Sequence, residues 1–106
     1  MLTISHDRQL QTVITTYEVT PDVCQDLLGL LRAACSDFIS KQAGFIDSAL
    51  HVNDAQTRIA AYAQWETRED FQAVLRSDEM QERNRKINDL SKSFAPVLYD
   101  VAYCSG

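Results

Sequence analysis

Glycine and proline are scarce in this sequence, at three and two residues of 106. That excludes a collagenous or linker-rich chain, and a hydrophobic content of 45% excludes a disordered one. Basic charge is short as well, with 10 Lys and Arg against 15 Asp and Glu, a net charge of -5. Nucleic-acid binding needs a clustered basic face. The nearest approach to one, Arg83, Arg85 and Lys86, is interleaved with Glu79, Glu82 and Asp89, so no nucleic-acid partner is expected. Histidine occurs twice, at His6 and His51, without ligand spacing to any cysteine, and no metal site is expected. The opening MLTISHDRQLQTV lacks an uninterrupted apolar core after a basic start, so no export signal is read there and the expected location is cytoplasmic. No segment supports a membrane partner. Cysteines number three, and Cys24 and Cys35 lie eleven residues apart in a helical pattern. That spacing is about 16 Å along a helix. Reduced, packed thiols follow.

What is present reads as one domain over 1–106, with a polar arm over 1–11. TVITTYEVT, from Thr12 to Thr20, is rich in β-branched and aromatic residues and predicts a strand. Thr20 as cap, Pro21 and Asp22 then predict a helix start. Val23, Leu27, Leu30, Leu31, Ala34 and Phe38 give that helix one apolar stripe as far as about Lys41, and Gly44 can take a left-handed turn after it. Two alternating runs, Phe45 to Asn53 and Arg58 to Glu66, predict a hairpin across the polar DAQT turn. Thr67 and Asp70 form a capping box, Ser77 a second cap, and two short helices are expected from there to about Ser93, with Pro96 closing the second. VLYDVAYC, from Val97 to Cys104, predicts the last strand.

The order is βαββαβ. Right-handed crossovers then give an α+β, ferredoxin-like fold, a four-stranded antiparallel sheet with its helices on one face. Strict alternation puts Ile59, Ala61, Ala63 and Trp65 on the helix side, joined by Ala49 and His51 of the preceding strand. It puts Ile46, Leu50, Val52 and Tyr62 on the other side, an apolar face larger than a monomer usually exposes. A homodimer packing sheet against sheet is the expected cover.

Ala43-Gly44-Phe45 leading into LHVND, then YAQWETREDF and the terminal PVLYDVAY, together resemble the antibiotic biosynthesis monooxygenase family over about Thr12 to Tyr103. The most specific part is Gln64, Trp65, Glu66, Thr67 and Phe71. The resemblance implies a dimeric α+β barrel and oxygen chemistry without metal or flavin on anthrones, naphthols or quinols. It also implies a pocket between sheet and helices. In the polyketide oxygenases of that family an asparagine stands four residues before the tryptophan and a tyrosine six after it. Ala61 and Phe71 occupy those positions here, and Thr15 falls where several relatives carry another asparagine. The haem-degrading branch needs an axial histidine in the second helical region, and none occurs between Thr67 and Phe94.

His51 is the expected base or orienting donor, because its ordinary pKa suits proton removal near neutrality. Trp65 and Phe71 are the expected aromatic walls for a flat small molecule, beside volume left by Ala49, Ala61 and Ala63. Thr15 is the candidate replacement polar group. Arg83, four residues before Ile87, is the candidate pocket arginine, with a surface ion pair as the alternative. The expected function is a cofactor-independent monooxygenase of an electron-rich aromatic or quinol. The alternative is a member of the same fold without oxygen chemistry, either a dimeric binder of hydrophobic ligands or a cyclase or isomerase.

Overall fold

A computed structural model describes residues 10–105. The strands are β1 (Gln11–Glu18), β2 (Phe45–Val52), β3 (Arg58–Trp65) and β4 (Ser93–Tyr99). The helices are α1 (Cys24–Asp37), α2 (Arg68–Arg76) and α3 (Asp78–Leu90), with one short 3-10 turn over Ile39–Lys41. The sheet order is β2-β3-β1-β4 and every pairing is antiparallel, which is the ferredoxin-like arrangement. The expected polar arm falls almost entirely on residues 1–9, outside the described residues.

The caps at Thr67 and Ser77 and the left-handed Gly44 are where the sequence puts them. Thr67 accepts from the Asp70 amide at 3.1 Å and donates to its carboxylate at 2.9 Å, so the capping box starts α2. Ser77 accepts from the Met80 amide at 3.2 Å and starts α3. Gly44 has a φ of 84°, and a Cβ there would collide with the Asp70 carboxylate.

Several boundaries differ from expectation, and β4 ends at Tyr99 rather than at Cys104. Thr20 to Val23 form a turn, closed by the Val23 amide on the Thr20 carbonyl at 3.2 Å, and α1 begins at Cys24 with no side-chain cap. At its far end α1 stops at Asp37, and Lys41 belongs to the 3-10 turn. The last strand begins at Ser93 and contains Pro96, which is tolerated because β4 is an edge strand.

Strand faces differ as well. A β-bulge sets Phe45 opposite Trp65 but Asp47 opposite Gln64, leaving Ile46 as the extra residue. Downstream of it Ser48, Leu50 and Val52 pair with Ala63, Ala61 and Ile59. Leu50 and Val52 therefore lie on the helix side, and His51, opposite Ala60, lies on the outer side. The outer face remains apolar through other residues: Ile14, Ala60, Tyr62, Val97 and Tyr99. Val97 is 43% and Tyr99 46% exposed.

On the helix side, Cys24, Leu27, Leu31 and Ala34 bring one stripe of α1 against Val13, Tyr17 and Ile59 of the sheet. Met80 and Ile87 bring α3 in beside it, and Val74 anchors α2. Helices and sheet close well at the Leu27 end and less well nearer Trp65, where alanines line β3.

Candidate functional site

Rows of paired residues across the sheet build the floor of the site. Leu50, Ala61, Thr15 and Pro96 form one row, and Ser48, Ala63, Val13 and Leu98 the next. Because Ala61 and Ala63 carry only a methyl group, the helices above them cannot reach the sheet. A cavity of about 110 Å³ remains, roofed by Leu31, Cys35, Phe71, Val74, Met80 and Asn84. An engineered apolar cavity of about 150 Å³ is known to take benzene. The space here is of the order of one aromatic ring.

Trp65 ends the cavity and is only 1% exposed. Phe45 meets its ring edge-on at a centroid distance of 5.5 Å, and Phe71 lies tilted against it at 6.0 Å. Trp65 is thus core and cavity wall at once. Its indole Nε1 is buried with no hydrogen-bond partner, a condition shared among the described residues with one other buried side-chain polar atom, the Ser91 hydroxyl. Such an orphan donor costs about 1–3 kcal/mol.

The other polar groups are few and uncharged. Thr15 is buried on the floor, and burial pushes the Tyr17 phenol up to about 12, with the Thr15 hydroxyl pulling in the opposite direction. Tyr17 therefore stays protonated near neutrality and can donate but not accept a substrate proton. The Cys35 Sγ and Ser48 Oγ lie 2.9 Å apart on one wall. Asn84 lies four residues after Met80 and three before Ile87, which turns it toward the cavity. Among the described residues, none of the lining side chains is a carboxylate, imidazole or amine.

Of the residues singled out from the sequence, Thr15, Ala61, Trp65 and Phe71 meet at this cavity. Two do not. His51 is exposed on the outer face, because the bulge near Ile46 reverses the side on which it was expected. Arg83 pairs instead with Glu79, its Nη2 and Nε both donating to Glu79 Oε2 at 2.9 and 3.1 Å, and its neighbour Asn84 is the cavity-lining residue of that turn. Counting from Met80 and Ile87 together would have found Asn84. Counting from Ile87 alone selected Arg83.

The sequence profile of antibiotic biosynthesis monooxygenases matches residues 10–86, which hold the whole sheet except β4 and nearly all of the cavity. The chain belongs to the antibiotic biosynthesis monooxygenase family. Within that family it is 26% identical over 106 residues to tetracenomycin-F1 monooxygenase of Streptomyces glaucescens, covering 100% of this chain and 94% of that one. A solved structure of SnoaB, a cofactor-independent oxygenase from Streptomyces nogalater, superimposes with a TM-score of 0.73 at 19% identity over 91% of this chain and 96% of that one. A conserved protein from Methanosarcina mazei does so with a TM-score of 0.78 at 17% identity over 89% and 94%. At these identities the structural likeness concerns the fold. No helix among the described residues is long and apolar enough to cross a membrane.

Proposed function

We propose that this chain is a cofactor-independent monooxygenase that encloses one ring of an electron-rich aromatic or quinol, of the polyketide kind, in the cavity beside Trp65. The observation that carries the reading is the apolar cavity of about 110 Å³ that Ala61 and Ala63 leave beside Trp65 and Phe71. Two relatives act as oxygenases by name, one on tetracenomycin F1 and one without a cofactor.

The chemistry needs no external reductant. A ring methylene, that of an anthrone or of the keto tautomer of a naphthol or quinol, becomes a carbonyl: one atom of O2 ends as the carbonyl oxygen and the other leaves as water with the two hydrogens. The substrate supplies all four electrons. It first loses a proton, its anion passes an electron to O2, and the two radicals join as a carbon-bound peroxide. Loss of water from the peroxide gives the ketone. The protein's part is to favour the anion and shield it. Trp65 Nε1 and the Asn84 amide are positioned donors for developing negative charge, which apolar walls make more effective than in water. Thr15 and Tyr17 supply hydroxyl donors at the floor.

The described lining residues include no base, and in this reading loss of the first proton follows the acidity of the bound substrate. A second copy of the chain covers the outer sheet face at Ile14, Tyr62, Val97 and Tyr99, giving the dimeric barrel.

The test is oxygen uptake with a panel of hydroxyanthrones, naphthols and hydroquinones. Trp65→Phe is expected to lower kcat by about ten- to a hundred-fold, the range of one lost oxyanion donor or somewhat less. His51→Ala is expected to leave both the rate and its pH profile unchanged. Binding by Trp65 fluorescence without uptake from any member of the panel would favour a hydrophobic-ligand-binding protein instead.

A further inference from the structure

The cavity has a size, a direction and two polar ends, and together these select among electron-rich aromatics. Ser48 pairs with Ala63, which pairs with Val13, and Thr15 follows Val13 by two residues on the same face of β1. Two strand spacings of about 4.8 Å and two residues of about 3.3 Å put the Cα atoms of Ser48 and Thr15 about 12 Å apart. The line joining them crosses β3 between Ala61 and Ala63, the two residues whose small side chains open the cavity. Both Ser48 and Thr15 line it. A benzene ring with oxygens at opposite corners, and one hydrogen bond of about 2.8 Å at each oxygen, covers that span.

Polar hydrogens are available at both ends. Cys35 Sγ lies 2.9 Å from Ser48 Oγ, and with the thiol donating, the serine hydroxyl keeps its own hydrogen for a ligand. Thr15 is buried beside the Tyr17 phenol, and Asn84 stands in the roof of the same cavity.

A second ring has no place. Fused along one side of the first, it would extend in the strand direction. On one side stands Trp65, buried, with Phe45 and Phe71 against its ring; on the other, Ile59 and Leu27 are completely buried. Leu31, Val74 and Met80, also buried, close the roof. Among the described lining residues only Pro96, on the edge strand β4, is exposed, so the way in runs across the strands on the Thr15 side. A volume of about 110 Å³ agrees with one benzene ring. The methylene of an anthrone belongs to the middle of three rings, which a site of this size does not enclose.

We propose that the substrate is a single-ring para-dihydroxybenzene, held at one oxygen by Ser48 and at the other by Thr15, and that fused-ring phenols and anthrones are excluded. The inference rests on the oxygenase reading above and narrows its substrate. Oxygenation falls on a ring carbon next to one hydroxyl, where a C–O bond forms and a C–H bond breaks. The ring gives up four electrons, two at that carbon and two in passing from hydroquinone to quinone. One atom of O2 stays on the product, a hydroxybenzoquinone, and the other leaves as water with two hydrogens. No other oxidant or reductant enters.

The experiment uses the full chain and four probes: hydroquinone, its meta isomer resorcinol, naphthohydroquinone and a hydroxyanthrone. Binding is read by calorimetry under argon, and turnover by oxygen uptake above the protein-free rate with the product identified by mass. Expected are hydroquinone binding with formation of hydroxybenzoquinone, resorcinol bound about five- to ten-fold more weakly for the loss of one hydrogen bond, and neither binding nor uptake with the two fused-ring probes. Ser48→Ala and Thr15→Val should each weaken hydroquinone binding by the same factor, and unchanged affinity in both overturns the inference. Resorcinol or a fused-ring probe binding as tightly as hydroquinone also overturns it, and if that fused-ring probe consumes oxygen the proposed function stands. Uptake with none of the four, whatever binds, overturns the proposed function and this inference with it. The probe series on the unmodified sequence decides without any variant.

Discussion

Replacing Ala61 by leucine tests the cavity directly. Ala61 sits in the middle of the floor, between Leu50 and Thr15 in the sheet register, and its methyl group faces the open volume. Residual cavity volume costs about 24 cal/mol per Å³. A cavity of about 110 Å³ therefore sets an upper limit of about 2.6 kcal/mol on what filling it can return. The cavity has a mouth, and a leucine fills only part of it, so the expected gain is about 1–2 kcal/mol. For a chain of this size that is a rise in Tm of roughly 4–16 °C. The gain should come with loss of function: the same variant loses hydroquinone binding by Trp65 fluorescence and loses oxygen uptake, since the leucine occupies the ring's place. Urea unfolding and a ligand titration on one preparation read both effects. Destabilisation by about 1–3 kcal/mol, the usual result of overpacking, would show that helices and sheet already close over Ala61, and the account of the site would fail.

Three further outcomes follow from separate parts of the molecule. Tyr17 has its pKa pushed up to about 12 by burial, so folding favours the neutral phenol. That contribution is complete below pH 10 and is lost as pH rises from 10 to 12, about 2–3 kcal/mol in all, so Tyr17→Phe should flatten this part of the stability-against-pH curve. Gly44→Ala should cost about 2–3 kcal/mol in urea unfolding, from a left-handed alanine together with displacement of Asp70 from its cap on Thr67. Val97→Asp, on the outer sheet face, should halve the sedimenting mass if a second copy covers that face, and an unchanged mass would reject the dimer.

The features legible in the sequence were those set within a few residues of themselves. The caps at Thr67 and Ser77, the left-handed Gly44 and the polar hairpin turn are fixed by local hydrogen bonding and sterics, and each has its expected place. The side on which Ala61 and Trp65 lie was legible from unbroken alternation in β3, and Phe71 follows in the first turn of α2, whereas Thr15 on β1 was singled out by the family resemblance. His51 was misassigned because alternation was counted from Phe45 through a bulge that only the partner strand reveals. Arg83 was preferred to Asn84 because it lies four residues before Ile87, whereas Glu79 one turn earlier offers it a partner at the surface. Pro96 looked like a helix stop because its tolerance depends on β4 lying at the sheet edge, a fact of topology rather than of local sequence.

Ile46 has a consequence beyond misleading the eye. It works as a phase shift in a two-beat pattern: before it the odd-numbered Phe45 faces the helices, and after it the even-numbered Ser48 and Leu50 do. Neither phase alone could bring Phe45 edge-on to Trp65 and also set Ser48 beside Cys35. A deletion of this single residue would keep the strand's composition and hairpin intact, yet it would force the chain to give up either the aromatic end of the cavity or its sulfur wall. In evolutionary terms the two are tied to one insertion, so a relative lacking it would have to furnish one of them from elsewhere.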